Sequence, residues 1–180
     1  EKLAACTGRL DQVAGARPFV FDDGPARGMR GIDVWTGSGL EFTVLPDRGL
    51  DIGAARFAGR ALAWQSGTGD VRPERFEPQG FGWLKMFHGG LVMTCGLRHF
   101  GAPDAEDGES WGLHGRASSL AAEDVAVERG WEGGDYVIRV RGRMIEAEVF
   151  KPTVVLERTI STALGSREIR IDDRVSNMGH

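Results

Sequence analysis

The sequence predicts an all-β, mainly antiparallel domain. Three observations predict it. The 27 glycines punctuate short runs rich in Val, Ile, Leu, Phe and Trp; the clearest run alternates with period two; and no long segment carries the 3.6-residue period of an amphipathic helix. The alternation is plainest around "REIRIDDRV" (167–175). There Ile169, Ile171 and Val175 share a parity with Asp173, and Glu168, Arg170, Asp172 and Arg174 fill the other, so one face reads as core and the other as wet.

Taken in order, the first strands are expected at 30–36 (RGIDVWT), 39–46 (GLEFTVLP), 50–57 (LDIGAARF) and 60–65 (RALAWQ). Residues 66–83 are rich in Gly, Pro and acid and read as a long loop, followed by an inner strand at 88–97 (HGGLVMTCGL) and a second loop at 101–112. Loops of this length in a β-domain are more often functional than decorative. The later strands are expected at 123–130, 135–143, 145–150, 153–162 and 167–176. "GWEGGDY" (130–136) and "ALGS" (163–166) supply turns, so the second half reads as an antiparallel meander.

With 180 residues, 41% of them hydrophobic, the chain can bury one substantial core, and residues 1–180 are read as one domain. The 22 basic residues against 26 acidic ones give a net charge of −4 without any basic run, which argues against a nucleic-acid partner. No apolar stretch is long enough for a membrane-spanning helix, and no leader pattern is visible at the start. Cys6 and Cys95 lie far apart, so no disulfide framework is indicated and a reducing cytoplasm fits best. The chain begins at Glu1 and stops at "DDRVSNMGH" just after a strand. It is therefore expected to be a fragment of a larger fold, poorly soluble by itself because edge backbone would be exposed. Oligomeric state is not written in the sequence.

GxSxG, the P-loop, GxGxxG, HExxH and the HxH-plus-Glu pattern are all absent, which lowers hydrolase, nucleotide and metal-isomerase readings. What remains is polar side chains set among glycines in "PDRGLDIG" (46–53), "FHGGLVMTCGLRHFG" (87–101) and "LHGRASS" (113–119). Glycine beside a polar residue lets a ligand approach the backbone. His114 and Arg116 share a strand parity and would point into one cleft, offering hydrogen bonds to a neutral or anionic polyol; a histidine satisfied by a carbonyl is the alternative. Arg48 and Asp51 are either site residues or an ion-paired turn. His88, Cys95 and His99 lack the further ligand a zinc site needs, so no metal is expected, and Cys95 reads as a small buried hydrophobe. Trp64, Trp83 and Trp111 are core rings or platforms for sugar C–H faces, with Trp111, next to His114, the best platform.

At "LHGRASS" the sequence resembles the aldose 1-epimerase (galactose mutarotase-like) superfamily, most closely a branch known only as a domain of unknown function. "GLEFTVLPDRGLDI", "HGGLVMTCGL", "GLHGRASSLAA" and "LERTISTALGSREIRIDDRVSNMG" carry the resemblance across nearly the whole chain. It implies a galactose mutarotase-like β-supersandwich whose concave face holds the sugar. It implies that His114 binds a sugar hydroxyl near the anomeric centre and that Arg116 occupies a regularly basic position. Arg48 and Asp51 match a block without an assigned role, and His88 and Cys95 fall on a strand that lines the cleft in related folds. His99 stands where the branch usually has Asn. The implied reaction interconverts sugar anomers by ring opening, with a glutamate as base and a second histidine as acid, and without cofactor. Neither catalytic group is identifiable in this chain. Both are expected downstream, and His180 does not match, so the chain alone is expected to be inactive. The alternative is a non-catalytic sugar-binding or regulatory module. A glycosidase pair among Asp47, Asp51, Asp104 and Glu106 is not supported by spacing.

Overall fold

Apolar alternation becomes strand wherever a neighbouring turn lets the chain fold back on itself, and the computed structural model, which describes residues 6–106 and 108–179, contains eleven strands among them. Strands β1 (Gly15–Val20), β2 (Arg30–Trp35), β3 (Leu40–Leu45), β4 (Asp51–Phe57) and β5 (Arg60–Ala61) form a five-stranded antiparallel sheet in sequence order. A small hairpin pairs β6 (Asp104–Glu106) with β7 (Glu109–Trp111). Strands β8 (Glu123–Glu132), β9 (Asp135–Glu146), β10 (Val154–Ala163) and β11 (Arg170–Asn177) form the second large sheet, ordered β11-β10-β9-β8.

The second sheet is the predicted meander. Gly133 and Gly134, with φ of 56° and 99°, make the two-residue turn between β8 and β9, a conformation whose twist matches that of the flanking strands. Burial follows parity. Ile138, Val140 and Met144 of β9 and Leu156 and Ile160 of β10 are buried, and they join Ile32, Val34, Phe42, Val44 and Ile52 of the first sheet in one core cluster. Two sheets face each other across that core, the arrangement expected when each has a single apolar face.

Several expectations need correction. Residues 88–97 are not a strand: they form only isolated bridges, Ile52 of β4 to Val92 and Gln65 to Gly89. Gly89, Gly90, Gly96 and Leu97 all have positive φ, which breaks extended backbone. The expected strand at 60–65 shrinks to Arg60–Ala61, and Leu62 and Trp64 lie exposed beyond it. The loop at 101–112 contains the β6–β7 hairpin, whose polar residues show no apolar alternation. Residues 145–150 are not a separate strand, because β9 runs on to Glu146 and Phe150 then turns at φ 64°. Strand β1 was hidden by Pro18, which an edge strand tolerates. Finally, Ile171 and Val175 are not core. They sit on the edge strand β11, which the first sheet does not cover, and only Ile169 of that set packs against the cluster.

Candidate functional site

Glu146 lies on the core-facing parity of β9, after Ile138, Val140, Gly142 and Met144, but at the strand's end, where the core gives way to a cleft. Only 4% of it is exposed. The cleft encloses about 160 Å³, and its wall is built from Glu146 and Glu148, Trp111 and Glu109 of β7, Arg98, the turn at Gly115 and Arg116, and Phe76 and Pro78 of the long loop. Burial raises the Glu146 carboxyl above its ordinary pKa, opposed by the Arg116 charge, the Arg98 backbone N–H and the Arg98 charge. Its Oε2 has no hydrogen-bond partner.

Arg98 is held by two carboxylates, donating to Glu109 Oε1 at 2.6 Å and to Glu148 Oε2 at 3.2 Å. Lys151 donates to the other oxygen of Glu109 at 2.8 Å. The Arg116 side chain is exposed and has no hydrogen-bond or ion-pair partner among the described residues. It also borders an adjoining cleft of about 290 Å³ with Pro73, Phe76, Pro78 and Ser119. The arrangement offers an aromatic ring, an unengaged guanidinium and a carboxylate with a spare oxygen within one small space. That combination suits a polyhydroxyl ligand, whose C–H faces stack and whose hydroxyls both donate and accept.

The structure brings Trp111 and Arg116 to this cleft, while His99 stands behind Trp111, outside the cleft wall. His99 lies against the Trp111 ring at 5.6 Å between centroids and 11° between planes, with its Nε2 hydrogen-bonded to Ala102 O at 2.8 Å. The expected shared strand parity of His114 and Arg116 does not hold, because His114 is in a turn at φ 58°. Its ring instead packs edge-on against Trp83 at 4.8 Å and tilted against Phe100 at 5.4 Å, outside the cleft wall. Its Nδ1 is buried without a partner. Gly115 shapes this turn: its φ is 68°, and an added Cβ would meet His99 O at 2.7 Å. Gly115→Ala is expected to cost about 1–3 kcal/mol and to shift the His99–Trp111 stack, read as a lower Tm with altered tryptophan fluorescence.

The remaining expected site residues lie inside the protein. Arg48 is fully buried and donates to Ser118 O and Val71 O at 2.7 Å and to Met86 O at 3.0 Å. Asp51 is fully buried and accepts from the Thr94 backbone N–H at 2.8 Å and from its hydroxyl. The two form no turn ion pair; each is engaged elsewhere. His88 is buried with its Nδ1 3.5 Å from Asp70 Oδ1, and burial pushes its pKa down to about 4, so the ring is neutral. None of these three offers an atom to the cleft. Cys95 is half-buried rather than the buried hydrophobe expected, because it lines a different cleft of about 410 Å³ with Thr94, Arg158 and Asp173; burial and the Asp51 charge raise its thiol pKa, which disfavours the reactive thiolate. A further groove of about 420 Å³ lies on the first sheet between Arg17, Asp33, Glu41 and Arg56 and contains none of the residues singled out from the sequence. Among the described residues no group of three or more His, Cys, Asp or Glu is placed to hold a metal. No helix among them is long and apolar enough to cross a membrane.

Sequence reasoning missed Arg98, Glu109, Glu146 and Glu148. Glu146 had a signal: in "IRVRGRMIE" it keeps the parity of the core positions, and a charged residue at a core parity is unusual unless it is paired or functional.

The profile of a family described as a domain of unknown function (DUF4432) matches residues 26–180. The chain belongs to that family. A search of curated proteins found no match to this DUF4432 chain. Among solved structures, it is similar to a Klebsiella pneumoniae subsp. pneumoniae MGH 78578 protein provisionally assigned as an aldose 1-epimerase. The TM-score is 0.84 at 26% identity, over 93% of this chain and 46% of that one. A galactose 1-epimerase from Lactobacillus acidophilus NCFM aligns with a TM-score of 0.49 at 11% identity, over 83% of this chain and 45% of its own, and nothing below rests on it. The DUF4432 chain thus has the mostly antiparallel fold of the aldose 1-epimerase superfamily, with open sheets, and spans about half the length of the Klebsiella protein.

Proposed function

We propose that residues 1–180 act as one sugar-binding domain of a protein that interconverts the anomers of an aldose or related sugar. The observation that carries this reading is the cleft itself, in which Trp111, the unengaged Arg116 and the buried Glu146 meet in a fold shared with a provisionally assigned aldose 1-epimerase. Trp111 supports a sugar ring, and Arg116 donates to its oxygens. His114, one turn behind, bears on the site through the position of Gly115 and Arg116. Ring opening needs a base at the anomeric hydroxyl and an acid at the ring oxygen, and both come from outside this chain, without metal or nucleotide. The free cysteines Cys6 and Cys95 fit a cytoplasmic setting.

The test is NMR exchange spectroscopy of aldose anomers with the natural protein that carries this chain. Exchange well above the spontaneous rate is expected for at least one aldose. Exchange at the spontaneous rate across a broad panel would defeat the enzyme reading, and retained binding in that case would identify a non-catalytic sugar module.

A further inference from the structure

The charges around the cleft balance. Arg98, Arg116 and Lys151 stand against Glu109, Glu146 and Glu148, and Arg98 and Lys151 are already spent on Glu109 and Glu148. Two groups of this set are left outside these ion pairs. One is Arg116, which makes no hydrogen bond or ion pair among the described residues although its charge acts on Glu146; the other is Glu146, whose buried Oε2 has no hydrogen-bond partner. A buried carboxylate oxygen without a donor is costly, and a ligand hydroxyl is the donor that relieves it. A phosphate or carboxylate in its place brings further acceptors and a like charge against Glu146 and Glu148 in a partly desolvated space.

We propose, resting on the sugar-site reading above, that Glu146 is the specificity-determining residue of this cleft: it accepts from a sugar hydroxyl beside Arg116 and selects uncharged sugars over phosphorylated or acidic ones. The placement is built into the strand. Glu146 is opposite Val154 in the β9–β10 register and follows Met144, which pairs with Leu156, so the rigid core of the second sheet fixes where its side chain sits in the cleft wall. Arg116 reaches the same space from a turn, fixed by the close approach of Gly115 to His99 O. Glu146 therefore sets position, and Arg116 adapts to the ligand.

The experiment is calorimetric titration of the natural protein with D-glucose, D-galactose and D-xylose, and with glucose 6-phosphate, galactose 6-phosphate and glucuronate. At least one neutral sugar is expected to bind about tenfold or more tightly than its phosphorylated or acidic counterpart. Glu146→Gln is expected to weaken the neutral sugar about tenfold and to narrow the gap to the charged ones. Charged sugars binding as well as their neutral parents would overturn the proposal, as would a folded Glu146→Gln protein with unchanged preference. The wild-type comparison decides the charge selection even where the Gln variant does not fold. Failure of every sugar, neutral or charged, to bind overturns the sugar-site reading and the proposal together, and is told apart by the wild type alone.

Discussion

Replacing Arg48 by methionine is expected to cost about 3–5 kcal/mol. The aliphatic replacement keeps most of the volume but removes three hydrogen bonds. Its acceptors, Ser118 O, Val71 O and Met86 O, belong to three separate segments: the turn after His114, the long loop, and the 3-10 turn Gly82–Met86. These segments have little regular structure of their own, so the guanidinium replaces the ladder they lack. Each buried carbonyl left without a donor costs about 1–3 kcal/mol. Because domains are stable by only about 5–15 kcal/mol, Tm should fall by roughly 6–20 °C, measured by thermal unfolding followed by circular dichroism. Arg48→Lys should recover little, since a lysine cannot present the planar fork that reaches three carbonyls at once. A Tm within a few degrees of wild type for both variants would show that the three segments are held by something else.

The second large effect is expected at Arg158, which is 5% exposed on the core face of β10 and lies opposite Gly142 of β9. It donates to Asp173 Oδ1 and Oδ2 at 2.8 and 2.7 Å, to Thr94 Oγ1 at 2.7 Å and to Gly49 O at 3.2 Å, with Asp51 Oδ1 at 3.4 Å. One side chain thereby ties β10, β11, the entry to β4 and the irregular segment around Thr94. Arg158→Ala leaves the buried Asp51 with Thr94 as its hydrogen-bond partner and only the charge of Arg48 nearby, and should cost about 3–5 kcal/mol. Burial pushes the Asp51 carboxyl up to about 6 from an ordinary 3.8, against the lowering effects of Thr94, Arg158 and Arg48. The folded state therefore binds this proton more tightly than the unfolded chain does. The associated stability is full below about pH 3.8 and is lost as pH rises through the window from 3.8 to about 6. Asp51→Asn keeps an acceptor for Thr94 and cannot ionise, so urea unfolding across that window should lose this component of the slope. In Arg158→Ala the slope should instead persist to higher pH. An unchanged profile in the Asn variant would mean that Asp51 is not the titrating group.

The meander was legible because each of its strands pairs with its neighbour in sequence through a hairpin, and local turn chemistry writes such pairings plainly. The segment 88–97 was not legible: its apolar residues read as a strand, but four positive-φ positions bend it, and its path is set by contacts with residues distant in sequence, among them β4, Arg158 and His114. His114 and Arg116 drew notice for a sound reason, glycines around polar side chains, yet parity has meaning only in extended backbone. Arg48 could not be assigned from sequence because its partners are carbonyl groups, which any residue supplies. Glu146 was within reach of the sequence, since its parity along the run from Ile138 to Met144 sets it among the core-facing positions.

The claim that the Trp111–Arg116 cleft binds sugar is tested most directly by calorimetric titration of the natural protein and its Trp111→Ala and Arg116→Ala variants with the tightest-binding neutral aldose. Both side chains lie at the surface of the cleft rather than in the core, so each substitution should weaken affinity about tenfold or more while Tm moves by only a few degrees. Affinity equal to wild type in both variants, with the fold intact, would contradict the assignment of the site.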